Sequence, residues 1–380
     1  MKRGCPFLVA LAPATSLLVW VVAAHAQTAE KAVSISVRVD PRVELISIIF
    51  RLAGNPEYNQ GRVPSYNAAI DQWFGLHRNH PVVQFAATLR DTCGVSYDAP
   101  MSLAVCLTDL PRLDVRVPLD PWPEGLDRRW RTEDVSAFLE KARDFAAETR
   151  FRDFVASQQA LYDTTARRAE TLFLREGRLE WFDHFFGGDS RSTFCLALAM
   201  ANGGCCYGAH VAVNGITERH CILGVTDCDE GGLPSFDPAM VETIVHEFCH
   251  SYANPIVEAH VAELEAAGTR IFAQVEEQMK RMAYGNWRTM MIESVVRGAV
   301  VRYLEATQGA QAAQAQIKTE QEHGFVWLGA LSELLAEYET HRDEYATFDR
   351  FFPKIAAFFN TRSENIAAEC EWSAAFQEGF

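Results

Sequence analysis

Several features are missing from this sequence, and each absence narrows the class of protein. The chain has 35 basic and 50 acidic residues, a net charge of -15 and no cluster of lysines and arginines, which argues against nucleic acid or an anionic membrane as partner. After the N-terminus, no apolar run reaches the ~18 residues that a membrane-spanning helix needs. No cysteine pair has CxxC spacing, so a structural zinc site of four cysteines is not expected.

The first 26 residues have the pattern of a secretory signal peptide. Lys2 and Arg3 form a charged start, Phe7 to Val22 an apolar stretch, and Ala24-His25-Ala26 a small-residue cleavage site. Cleavage near Ala26 predicts a secreted or periplasmic protein with no membrane attachment after removal of the signal. A retained N-terminal anchor is the alternative.

The mature chain has nine of the ten cysteines, in a compartment that permits disulfides. We favour the close pairs Cys93 with Cys106 and Cys221 with Cys228. An odd number leaves at least one free thiol, and Cys249 is the best choice. Further candidates for pairing are Cys195, Cys205, Cys206 and Cys370.

The pattern of apolar residues predicts an α+β fold that is mostly helical, with a small β-sheet and an N-terminal helical and strand region. We expect an α/β region over residues 27–120 and a second region over 121–380, unless 27–380 is one compact unit. Asn214-Gly215 lies between two alternating stretches and predicts a hairpin. The predicted elements are a strand at Val33–Val39, a helix from Pro41 to about Ala53, hairpin strands at Tyr207–Val213 and His220–Val225, and helical stretches at Thr132–Trp181, Ile256–Ala283, Trp287–Ala306 and Trp327–Phe359.

Two sets of polar residues outside the main motif have simple interpretations. Glu44 lies in the first turn of a predicted helix, where a carboxylate interacts favourably with the helix dipole. His77 and His80 precede Pro81. Their spacing suits a metal, but we expect them in a solvated loop.

The stretch His246-Glu247-x-x-His250 carries the clearest chemistry. Asp237-Pro238 and Asn254-Pro255 predict the start and the end of its helix. Residues four apart point from one face of a helix, so the two imidazoles can bind one zinc ion. Zinc lowers the pKa of water toward roughly 7, and Glu247 is the general base that takes its proton. This arrangement is the hydrolytic core of a metalloprotease. The alternatives are a chance pattern in a secreted binding or structural protein, and zinc hydrolysis of non-peptide amides or esters.

A catalytic zinc site needs a third protein ligand. A third histidine six residues after His250 is excluded, because Ile256 occupies that position. Glu293 lies in an apolar stretch where a carboxylate is costly to bury unless it is paired, so we predict it as the ligand. His260 is the alternative ligand. Arg297 either forms a simple ion pair with Glu293 or steadies the Glu293 carboxylate while that carboxylate binds the metal.

His246-Glu247-x-x-His250 followed 43 residues later by Glu293 resembles the gluzincin branch of the zinc metallopeptidases. Together with Val39–Leu45, Tyr97–Met101 and Glu293-x-x-x-Arg297, it resembles an uncharacterised group of bacterial secreted proteins that share a domain of unknown function. The resemblance extends over most of the mature chain.

The resemblance implies a zincin-like core over residues 121–380, one zinc ion per chain and a peptide or protein substrate. It implies that His246, His250 and Glu293 bind the zinc and that Glu247 is the general base. An extended substrate would pair with the edge strand at Tyr207–Val213. Gluzincins also have a Tyr or His that stabilises the oxyanion. No motif fixes that residue here, and the candidates are Tyr207, His210, His260 and Tyr303.

Overall fold

Helices make up most of the structure, a computed structural model that describes residues 35–187 and 191–364. The fold is α+β and mostly helical, as predicted. The predicted signal peptide and Cys370 lie outside the described residues. In chain order the described helices are α1 (Pro41–Leu52), α2 (Pro64–Phe74), α3 (Pro81–Cys93), α4 (Asp98–Val105), α5 (Thr132–Glu148), α6 (Phe151–Glu176), α7 (Glu180–Phe186), α8 (Met240–Ala259), α9 (Val261–Arg281), α10 (Trp287–Gln308), α11 (Ala310–Glu322), α12 (Leu328–Thr340) and α13 (Phe348–Arg362).

The described strands form a mixed four-stranded sheet and a separate two-stranded sheet. They are β1 (Ile35–Val39), β2 (Ser192–Ala199), β3 (Tyr207–Val213), β4 (Ile216–Gly224), β5 (Asp227–Cys228) and β6 (Pro234–Ser235). The larger sheet has the order β1-β2-β4-β3, in which β2 pairs in parallel with both neighbours. Strand β2 has no counterpart among the predicted elements, because a nearly continuous apolar run does not alternate.

The predicted hairpin is confirmed and forms one edge of the sheet. Strand β3 pairs antiparallel with β4, and Val213 lies opposite Ile216 across the turn. Asn214 and Gly215 both have positive φ, 52° and 76°, as the tight turn between twisted strands requires. The hairpin therefore leaves β3 with one unpaired side.

The prediction that Pro255 ends the motif helix is wrong. Helix α8 continues to Ala259, with Pro255 inside it. A proline lacks the N–H that would bind the carbonyl four residues earlier, here that of Ser251. The Arg219 guanidinium of β4 lies 2.5 Å from that oxygen and also stacks on the ring of Tyr252. A tertiary contact thus replaces the hydrogen bond that proline removes.

Glu44 lies in the first turn of α1, as predicted, and it is also fully buried. Its carboxylate accepts hydrogen bonds from the Tyr66 hydroxyl at 2.5 Å and from the Met200 N–H at 2.7 Å. The Tyr66 hydroxyl in turn lies 2.6 Å from that of Tyr162. Burial raises the pKa of Glu44 to about 7, against the lowering effect of these hydrogen bonds.

The favoured disulfides do not form. The eight cysteines in the described part of the chain are free thiols, including Cys93, Cys106, Cys221 and Cys228. Cys106 follows α4 in the core, whereas Cys93 ends α3 at a less buried position. Cys221 is buried in β4, while the Cys228 thiol lies 3.5 Å from the Arg62 carbonyl. Proximity in sequence therefore did not predict pairing.

From Ile35 onward the described residues belong to one compact unit. None of the described helices is both long and apolar enough to cross a membrane. The predicted division of the chain near residue 120 stays a prediction, as does the signal peptide.

Candidate metal centre

Two helices and the hairpin bring the motif residues together. Helix α8 carries His246 and His250 and packs against β3, β4 and α10. Helix α10 carries Glu293 and is buried on most of its circumference, since it also packs against α9, α11 and α12. A helix that is apolar nearly all round is expected at such a central position. Glu293 therefore projects from the core toward the two histidines.

The side chains of His246, His250 and Glu293 converge on one point. Their candidate ligand atoms all lie within 4.8 Å of one another. The two Nε2 atoms are 3.2 Å apart, and the Glu293 carboxylate oxygens lie 3.6 Å from His246 Nε2 and 3.4 Å from His250 Nε2. We call these three residues the buried cluster, in which Glu293 is buried and the His246 and His250 side chains are 20% and 14% exposed. Two imidazoles and one carboxylate are a ligand set that suits zinc.

The hydrogen bond of His250 fits metal binding. Its Nδ1 lies 3.0 Å from Asn254 Oδ1, an acceptor, so Nδ1 carries the proton of the neutral ring. The lone pair on Nε2 then faces His246 and Glu293. Histidines that bind metals generally donate their other N–H in this way. Asn254 is thus an orienting residue for His250.

The surroundings of the buried cluster shift the pKa of each of its three side chains. Burial lowers the pKa of His246 to about 3. Burial has the same tendency at His250, but the Glu293 and Glu247 carboxylates outweigh it and raise the pKa of His250 to about 9. Burial favours the neutral form of Glu293, yet the imidazoles and Arg297 lower its pKa. The Oε2 atom of Glu293 is buried without a hydrogen bond, and Arg297 lies 3.3 Å from it, so a metal would bind there beside an existing ion pair.

Arg297 forms an ion pair with Glu293, which both interpretations of this pair include. Its guanidinium lies 3.3 Å from the Glu293 carboxylate and also forms an ion pair with the buried Glu320 of α11. It donates a 2.8 Å hydrogen bond to the Tyr284 hydroxyl. Tyr284 and Glu320 were not predicted, because neither belongs to the motif and only the packing of α10 brings them near it.

Glu247 lies beside the buried cluster and under the edge strand. It is 8% exposed, and burial raises its pKa to about 7. The backbone N–H of Gly208 in β3 faces its carboxylate. A Cβ at Gly208 would lie 2.1 Å from the Glu247 carbonyl oxygen and 2.9 Å from His250 Cβ. Only glycine allows the strand to lie this close to the helix.

A cleft of about 710 Å³ borders this arrangement. Gly208 to His210 of β3 form one wall, and Asn254 with Ile292 lie on another, whereas the cluster residues and Glu247 do not line it themselves. A loop around Gly125 closes one end, since a Cβ there would lie 1.9 Å from the His210 carbonyl oxygen. The cleft thus exposes a short part of β3, and Gly208 in that part contacts Glu247.

Of the two other histidines considered for the site, His210 lines the cleft and His260 does not. Burial lowers the pKa of the His210 ring to about 4, so the imidazole is neutral. His260 ends α8, contacts Glu263 and stacks on Phe352, so it is not among the ligands.

Tyr303 and Tyr207 are the two remaining candidates for stabilising an oxyanion. The Tyr303 hydroxyl accepts the Arg178 N–H among core aromatics. Tyr207 precedes Gly208, so the alternation of a strand points it to the opposite face of the sheet, near Tyr58. Neither side chain lines the cleft.

The fold and the buried cluster define a mostly helical α+β protein with a candidate metal centre between two helices. The chain belongs to the family described as a domain of unknown function (DUF4932), whose profile matches residues 35–358. Searches of curated proteins and of solved structures gave no significant match.

Proposed function

We propose that this protein is a zinc-dependent peptidase of the gluzincin type with a zincin-like core. The convergence of His246, His250 and Glu293 within 4.8 Å carries the proposal. The Asn254 contact supports it, because it leaves the Nε2 lone pair of His250 free for a metal. These three side chains would hold one zinc ion.

Zinc bound there would supply a Lewis acid that polarises a substrate carbonyl and makes water more acidic. Glu247 would take the proton from the attacking water and pass it to the departing amine. A general base works best with a pKa near the working pH, and burial raises that of Glu247 to about 7. The Gly208 N–H would hold the carboxylate in place for both transfers. His210 is the remaining candidate for stabilising the oxyanion, since it lines the cleft.

A peptide is the substrate class that the cleft favours. The exposed side of an edge strand offers backbone N–H and C=O groups to an extended chain. Here the loop at Gly125 covers the strand at His210, so the free part extends from Gly208 to Ala209. We therefore expect only a few substrate residues to form backbone hydrogen bonds with β3.

Glu247→Gln is the decisive test. We expect the variant to keep one equivalent of zinc at the buried cluster, measured by mass spectrometry, and to lose at least 100-fold in kcat, since proton transfer by a positioned base contributes about 10²–10⁴-fold. Glu265→Gln, an exposed change on α9, is the matched control. Unchanged turnover by Glu247→Gln would contradict the mechanism.

The substrate screen separates the remaining alternatives. Cleavage of esters or non-peptide amides with no cleavage of peptides would replace the substrate class and keep the mechanism. Absence of zinc from protein prepared without chelators would favour a secreted binding or structural protein. Action outside the cytoplasm, without nucleic acid or membrane partners, is part of the proposal.

A further inference from the structure

A second group of metal-ligating side chains lies away from the cleft, between α3 and α5. His80, Asp144 and Glu148 bring candidate ligand atoms within 4.8 Å of one another. His80 Nε2 lies 3.5 Å from the Asp144 carboxylate and 3.7 Å from that of Glu148, while His77 Nδ1 lies 3.1 Å from Glu148. We call these four residues the surface cluster. Its two acids are exposed, but its central histidine is not.

The position of His80 differs from the predicted solvated loop. It is 7% exposed and forms the N-cap of α3, because its Nδ1 accepts the Val82 N–H at 3.2 Å. Phe145 of α5 packs edge-on against both His77 and His80 and fixes the rings. His80 Nε2 is buried without a hydrogen bond and points toward the two carboxylates. The two carboxylates lie too far from this nitrogen for a hydrogen bond, so a cation between them would bind all three groups.

The electrostatics of α5 also favour a cation at this place. Asp144 and Glu148 are four residues apart in its last turns, where like charges repel and where the helix dipole is negative. Among the described residues, their ion-pair partners are His77 and His80. Neither a lysine nor an arginine of the described chain pairs with them.

We propose that the surface cluster is a second zinc site, separate from the proposed catalytic one, which ties the start of α3 to the end of α5. Imidazole nitrogen and carboxylate oxygen are ligands that zinc accepts. Binding at Nε2 requires the ring proton on Nδ1, so the Val82 contact is given up. Loss of a helix cap lowers the affinity by on the order of tenfold. The site is therefore the weaker of the two.

Zinc titration of the chelator-treated full chain tests the proposal. We expect two equivalents in the wild type, one tight and one weak, by calorimetry and mass spectrometry. His80→Asn keeps a capping side chain and should bind only the tight equivalent, as should Asp144→Asn. Glu133→Gln, which removes one charge at the far end of α5, should keep both.

The buried cluster provides the reciprocal test. His246→Ala should lose the tight equivalent and keep the weak one, so the result does not depend on hydrolysis. A single equivalent in the wild type, or two equivalents retained by both His80→Asn and Asp144→Asn, would overturn the second site. Asp144→Asn keeps the test valid if His80→Asn fails to fold.

Discussion

The buried cluster and the surface cluster contain the same kinds of side chain but differ in what surrounds them. His246, His250 and Glu293 lie between two packed helices, and their orientations are fixed from outside. Asp144 and Glu148 are 72% and 55% exposed, and His80 is their only deeply buried neighbour in the surface cluster. Since ligands on two helices packed together are oriented before a metal arrives, the first cluster is suited to tight binding and chemistry.

The two clusters also differ in the hydrogen bond of the key histidine. His250 Nδ1 faces the Asn254 oxygen and carries a proton, whereas His80 Nδ1 accepts the Val82 N–H and carries none. The first arrangement leaves the Nε2 lone pair ready for a metal. In the second, the ring proton has to move from Nε2 to Nδ1 before Nε2 can bind one. One contact thus distinguishes a prepared ligand from an unprepared one. The following predictions test this comparison, from the largest expected effect to the smallest.

Glu293→Ala should have the largest effect, because it should change the zinc affinity of one cluster and leave that of the other. Loss of a direct ligand should weaken the tight zinc equivalent more than the roughly 10–100-fold that loss of a supporting residue costs. The weak equivalent at the surface cluster should remain. Competition with a coloured chelator measures both affinities, and an unchanged tight affinity would place the third ligand elsewhere.

Glu44 makes the stability of the whole fold, which holds both clusters, depend on pH. Its pKa is about 7 in the folded protein against an ordinary value of 4.5, so the unfolded state loses the proton first as the pH rises. Its contribution to the free energy of unfolding is therefore greatest below pH 4.5, falls between about 4.5 and 7, and is constant above. The loss is on the order of 3 kcal/mol.

Glu44→Gln should remove this part of the pH dependence while it keeps an acceptor for Tyr66. Urea unfolding at pH 5 and at pH 7.5 measures it in both proteins, without zinc. Equal slopes with pH in the wild type and the variant would show that Glu44 is ionised in the fold.

Gly208→Ala should disturb the buried cluster and leave the surface cluster intact. The added methyl group would meet the Glu247 backbone and His250 Cβ, and overpacking of this kind costs about 1–3 kcal/mol. We expect lower thermal stability and lower kcat with two zinc equivalents retained. Gly75→Ala is the control, because a Cβ there meets nothing within 4 Å. Equal effects of the two changes would refute the close packing of β3.

Asn254→Ala should reduce the difference in zinc affinity between the two clusters. Without the acceptor, His250 loses the contact that fixes its proton on Nδ1, and the tight affinity should fall by about 10–100-fold. Asn254→Asp should restore it, since a carboxylate also accepts from Nδ1. The chelator competition described for Glu293 detects the change. Tight binding that survives in Asn254→Ala would remove the basis for ranking the clusters.

The sequence predicted the parts of the molecule that depend on local pattern. The hairpin followed from its turn residues, and the facing of His246 and His250 from helical spacing. Glu293 followed from the cost of burying a carboxylate in an apolar helix, and the structure places it beside both histidines. These inferences needed only neighbours in sequence and a general cost of burial.

Features that depend on distant contacts were not predictable in the same way. The burial of His80 depends on Phe145, which belongs to another helix. The absence of the favoured disulfides, and the stacking of His260 on Phe352, follow from packing that no local pattern encodes. Tyr284 lies outside α8 and α10 in sequence, yet its hydroxyl contacts Arg297 and also interacts with Glu293.

The proline in α8 links the order of folding to the formation of the metal centre. The carbonyl freed by Pro255 is satisfied by Arg219, which belongs to a strand more than thirty residues earlier. The second half of the helix, with Asn254, is therefore complete only when the hairpin is in place. An excised α8–α10 fragment would contain every proposed ligand of the buried cluster and still lack a finished helix. Metal capture should thus coincide with cooperative folding of the whole unit and should not precede it.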